Sequence, residues 1–137
     1  MLNTKTIVAG IIGGVIYWLL GWVFYGMLLM DFFEANSTID IMRPEEEMVM
    51  WSLLLGNLVW GYFMAYVFHH WANISTWATG AKAGALIGVL VSMAFNMISF
   101  GVNNVSTMMA GVVDVVVMGV MSAIIGAVIG WWLGRGK

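Results

Sequence analysis

Asp114 is the one ionisable residue within 108–133, a run that is otherwise apolar or small. A carboxyl group in such surroundings can exchange a proton, receive a ligand, or close a hydrogen-bond network between helices. Other hydrogen-bonding residues recur in comparable settings. Ser92, Asn96, Ser99 and Asn103 lie four, three and four residues apart, along one face of a helix. Asn57, Tyr25, Trp22 and Trp60 interrupt two further apolar stretches. Asp114 hydrogen-bonded to Asn96 or Asn57 reads either as a network that fixes helix register or as a substrate, proton or ligand site. Burying such groups is costly unless each finds a partner.

Familiar catalytic and metal-binding sets are missing. The chain has no cysteine, so thiolate metal sites and disulfides are excluded. His69 and His70 are its only histidines, and adjacent residues point about 100° apart on a helix. They read as a polar end to a helix, not as a ligand pair. The 13 methionines form no tight repeated cluster and read as filler. Glu45, Glu46 and Glu47 follow Pro44 in "RPEEEM", which reads as a solvated helix start, with cation binding as a minor alternative. With no nucleophile–base grouping, phosphate loop or paired intramembrane carboxylates, the expectation is a protein that is not an enzyme, with no cofactor and no metal. Five Lys and Arg against seven acids exclude a nucleic-acid-binding surface.

The elements that must position these residues follow from composition. Of 137 residues, 62% are hydrophobic and 9% charged, where a soluble domain carries about a quarter of its residues as charges. Such a surface must face lipid. Runs near 6–30, 48–68, 83–102 and 108–133 approach or exceed the about 20 residues that a crossing needs. The first is too long for a cleavable signal, and no small-residue cleavage site follows it. The expected fold is therefore all-α: a single integral membrane four-helix bundle. Lys5, Lys82, Arg135 and Lys137 share one side if both termini are cytoplasmic. The acidic 31–47 loop then lies outside. Trp71, Trp77, Trp131 and Trp132 fall at the inner interface and Trp51 at the outer. The Asn-x-Ser/Thr triplets at Asn36, Asn73 and Asn104 are discounted as glycosylation sites.

Small residues recur every four positions: Gly80, Gly84, Gly88 and Ser92 in the third run, and Ser122, Gly126, Gly130 and Gly134 in the fourth. Gly10 and Gly14 begin a similar ridge that continues to Trp18 and Trp22. These GxxxG patterns predict intimate backbone contact within the bundle or between protomers. Counted from the outer boundary at 1.5 Å per residue, Tyr25, Trp22, Asn57, Asn96 and Asp114 all fall roughly 7–14 Å deep. A polar chamber in the outer half of the bundle is the expectation.

"WLLGWVFYGMLL" (18–29), "MAYVF" (64–68) and "GVVDVVVMG" (111–119) together resemble a small bacterial family of four-helix membrane proteins, known only as a domain of unknown function. The resemblance implies a bacterial inner-membrane location and touches Tyr25 and Asp114, but it implies no activity. The expected function is a structural, accessory or ligand-binding module, self-associating or part of a larger membrane complex, with membrane lipids as partners. The alternative is a small-solute or proton-coupled transporter using Asp114, with Asn57 and Asn96 lining its path.

Overall fold

The computed structural model describes residues 4–36, 49–102 and 107–135. Among these, every regular element is helical: α1 (Thr4–Val23), α2 (Met30–Ala35), α3 (Met50–Tyr66), α4 (Trp77–Val102) and α5 (Met108–Gly134). Five-residue π-helical turns, Phe24–Leu28 and Val67–Trp71, extend α1 and α3. Four helices are long and apolar enough to cross a membrane: Thr4–Val23, Met50–Trp71, Trp77–Val102 and Met108–Gly134.

Local chemistry sets the ends. Thr107 caps α5, its hydroxyl accepting from Ala110 N at 3.3 Å. Thr76 does the same for Thr79 N at 3.2 Å, before α4. Each cap satisfies a donor that the first turn leaves without an intrahelical partner. The Thr76 cap explains why α4 begins at Trp77, ahead of its apolar run at 83. A cap starts a helix whether or not its first turn is apolar. After α3 the chain reverses through Asn73, which adopts a left-handed φ of 53°. Asparagine tolerates that conformation better than most residues. Ile74 N then closes back on Phe68 O at 2.9 Å. The short α2 lies where the sequence suggested only loop. The "RPEEEM" helix start and its glutamates, with Asn103 and Asn104, lie outside the described residues.

Packing follows the small residues. A Cβ on Gly80 would run into the Gly126 carbonyl, and a Cβ on Gly126 into the Gly80 carbonyl. Gly84 meets the Ser122 backbone in the same way, and Gly130 and Gly134 meet Thr76 and Ser75. The antiparallel α4 and α5 therefore touch backbone to backbone over several turns. On the other side of the molecule, Gly10 and Gly14 of α1 bring Tyr62 and Leu58 of α3 to within 2.7 Å of where a Cβ would stand. Such approaches maximise dispersion contacts, the kind of packing by which helices associate when they lie in lipid.

The main contacts run α3 to α1, α1 to α5, and α5 to α4, with α3 touching α5 more lightly. α5 is accordingly the most buried of the four long helices and α4 the least. Met64, Ala65 and Phe68 of α3 meet Ala9 of α1 and Met121, Ile125, Ile129 and Leu133 of α5 in one core. Lys5 donates to the Arg135 carbonyl at 2.5 Å, so the two ends of the described chain lie together.

Candidate functional site

Asp114 sits about two turns into α5, facing the π-helical end of α1 and the second half of α4. Three neutral donors converge on its carboxylate. Tyr25 OH donates to Oδ1, Asn96 Nδ2 to Oδ2 at 2.7 Å, and Ser92 OH to Oδ2 at 3.3 Å. Among the described residues, all three partners of the Asp114 carboxyl group are neutral side chains. The second hydrogen of the Asn96 amide goes back to the Ser92 carbonyl at 2.8 Å, which fixes the orientation of the side chain.

The backbone explains why these groups meet. Ser92 and Asn96 are four apart, one turn on the same face of α4. Tyr25 belongs to the Phe24–Leu28 turn, where Leu29 N bonds to Phe24 O at 2.8 Å, one residue farther back than in an α-helix. That wider turn carries Tyr25 against α5, with its ring 5.3 Å from that of Phe33 on α2. α2 is in turn tied to the start of α5. Thr107 OH donates to Asn36 Oδ1 at 2.8 Å, and Thr107 N to Asn36 O at 3.0 Å.

One turn beyond Asp114, Tyr17 OH donates to Met118 Sδ, and the Tyr17 ring lies 6.1 Å from Trp60. Across Asn96 from the carboxylate, a partly open cavity of about 230 Å³ lies between α4 and α5. Met93, Met97, Phe100, Met108 and Val112 give it apolar walls, and Asn96 is part of its lining. Gly111 also borders it, and a Cβ there would lie 3.6 Å from Asn96 Oδ1. Asn96 thus joins the polar cluster to the apolar cavity.

Not every residue expected in the chamber takes part. Tyr25, Asn96 and Asp114 come together. Asn57 does not: its Nδ2 donates to Leu53 O of its own helix at 2.6 Å. Its backbone carbonyl packs 2.8 Å from the Cβ position of Gly14, roughly 16 Å along α1 from Tyr25. Counting depth from the ends of separate apolar runs misses this offset in register. Trp22 faces away from the other helices and is 61% exposed. Trp60 is half-buried between Tyr17 and Phe63, with its Nε1 buried and lacking an acceptor among the described residues. Its partner Tyr17 bonds to Met118, one turn from Asp114. Ser92 joins the site although it is not among the residues expected there, and its place one turn before Asn96 is the available signal. Thr107 and Asn36 gave no such signal, because their pairing joins segments 71 residues apart.

Among the described residues, no group of three or more His, Cys, Asp and Glu is placed to hold a metal ion. His69 and His70 stand edge to face, ring centroids 4.7 Å apart, and His70 packs on Tyr66 at 4.5 Å. No family model, curated protein or solved structure matches the chain. The site must therefore be read from its own chemistry.

The difference between Asn57 and Asn96 is testable. Asn57→Leu removes only a bond within one helix and is expected to change stability by less than about 1 kcal/mol. Asn96→Leu opens the Asp114 cluster and should cost more. Thermal unfolding of the two variants side by side checks this, and equal losses would place Asn57 in the network after all.

Proposed function

We propose that the chain is a multi-pass protein of the bacterial inner membrane, built as a four-helix bundle with both ends cytoplasmic. We further propose that it acts as a binding module for a membrane-soluble molecule with an apolar body and one hydrogen-bonding group. The membrane reading is supported by four long apolar helices and by the charge distribution. Lys5, Lys82 and Arg135 lie toward one end of the helices and Asp31 toward the other. Membership of the small bacterial family that the sequence resembles belongs to the same proposal and adds no activity to it.

One observation carries the binding reading: Asn96 is held by Asp114 and Ser92 while it also lines the apolar cavity. A small polar contact in an apolar pocket, fixed by its own supporting bonds, is the usual construction of a ligand site. The ligand's body would occupy the space between Met93, Met97, Phe100 and Met108, with its polar group against Asn96.

Native mass spectrometry of protein extracted in mild detergent tests this directly. The wild-type chain is expected to carry a discrete small-molecule adduct. In Gly111→Leu, whose Cβ position makes only ordinary contacts, the longer side chain fills the cavity. Occupancy should fall roughly tenfold, equivalent to about 1.4 kcal/mol. A wild-type protein carrying only bulk lipid, indistinguishable from the variant, defeats the binding reading. A second reading, proton-coupled or small-solute transport, is favoured by the lone carboxylate within an apolar helix. It requires flux through wild-type proteoliposomes and fails if there is none.

A further inference from the structure

The cationic end of the helices holds a second arrangement, unconnected with Asp114. The Arg135 guanidinium lies 5.4 Å from the ring centroid of Trp131 and 4.6 Å from that of Trp132. Stacking of this kind occupies the faces of the planar cation and leaves its N–H edges free to bind a phosphate oxygen. Among the described residues nothing accepts from those edges. Lys5 places its ammonium on the main-chain carbonyl of the same Arg135, using one of its three donors. Every acidic residue in the sequence falls within 31–47 or at Asp114. Lys5 and Arg135 thus come together from opposite ends of the chain with no carboxylate described nearby. Two cationic side chains brought to one end of the helices, with no carboxylate there among the described residues, favour binding of an anion.

We infer that Lys5 and Arg135, braced by Trp131 and Trp132, bind the phosphodiester headgroup of an anionic membrane lipid. The membrane-spanning reading underlies this, and the cavity at Asn96 does not enter. A lipid fits better than a free anion because exposed Trp71, Trp77 and Trp131 surround this end of the helices. Indole rings settle at headgroup depth, which would bring the lipid phosphate to the level of the two cations.

The test is native mass spectrometry of full-length protein from nanodiscs containing equal amounts of phosphatidylglycerol and phosphatidylcholine. Wild type is expected to retain phosphatidylglycerol preferentially. Lys5→Gln and Arg135→Gln should each reduce that preference roughly fivefold, and the double variant should abolish it. Neither side chain lies in the helix core, so helical circular dichroism should be unchanged. Equal retention of the two lipids by wild type, or an undiminished preference in the double variant, overturns the site. Loss of the bound lipid in millimolar inorganic phosphate would mark a free-anion site instead and overturn the lipid assignment. A carbonate wash of membranes separates the premises. Protein released by the wash refutes the membrane reading, whereas protein that stays without lipid preference refutes only the headgroup site.

Discussion

Replacing Asp114 with alanine is expected to lower the stability of the assembled helices by about 2–4 kcal/mol. The carboxylate accepts from Tyr25, Ser92 and Asn96, drawn from two separate parts of the chain. Its removal leaves three donors without their acceptor, and interhelical hydrogen bonds in membranes contribute about 0.6–2 kcal/mol each. An opposing effect must be kept apart. Removing a carboxyl group from a spanning helix favours insertion by about 3 kcal/mol. Insertion and helix assembly are different steps, so the variant should enter membranes at least as readily and yet pack less firmly. Thermal unfolding in a fixed detergent isolates the assembly step. Asp114→Asn should fall between wild type and alanine, because an amide turns one acceptor into a donor facing other donors. Wild-type unfolding temperatures for both variants would show that the cluster contributes nothing to assembly.

Gly126→Val is expected to be at least as damaging, by about 3 kcal/mol or more. Its Cβ would strike the Gly80 carbonyl, which belongs to backbone and cannot rotate aside as a side chain can. The only relief is to part α4 from α5, with loss of contacts along the whole row from Gly88 to Gly134. Gly56→Ala and Gly101→Ala are the matched controls. Among the described residues, no atom outside the glycine's own stretch of helix lies within 4 Å of either Cβ position, and alanine favours helix by up to about 1 kcal/mol over glycine. The chain has no native cysteine, so spin labels can be placed uniquely at Leu86 and Ile124, both exposed. The distance distribution between them should broaden or lengthen in Gly126→Val and remain unchanged in the controls. An unaltered distance in Gly126→Val would show that the close approach at Gly80 is not needed to hold the pair together.

The four long helices were legible because unbroken apolar runs leave a strong local signal. The Asp114–Asn96 pair was legible for a related reason: polar groups stand out against so uniform a background. Direction and relative depth were both harder to read than the runs themselves. Gly10, Gly14 and Trp22 read as one ridge, but each four-residue step advances 400°, or 40° past a full turn. By Trp22 the ridge has wound about 120° away from Gly10. The inward face includes Gly10 and Gly14 but continues through Gly13 and Tyr17, which are buried, and not to Trp22. Asn57 lies apart from the cluster because its helix is offset in register against α1 and its side chain turns to its own preceding turn, neither of which composition reveals. The π-helical turn that delivers Tyr25 has no sequence marker at all. It shifts hydrogen bonding by one residue while leaving the residue pattern intact.

The pairing of Asp114 with the helix just before it has a consequence for biogenesis. In the membrane-spanning reading proposed above, a ribosome feeding this chain into a bilayer releases Ser92 and Asn96 before Asp114 is made. When the carboxyl group leaves the insertion machinery, two of its three donors already wait on the adjacent helix, with glycine contacts to zip the pair together. The last two helices can therefore enter as a hairpin whose carboxyl group is already hydrogen-bonded by its own first arm. Tyr25, synthesised long before, is left to seal the carboxylate when the finished hairpin docks. The most difficult residue to insert thus becomes the one whose final bond marks completed assembly.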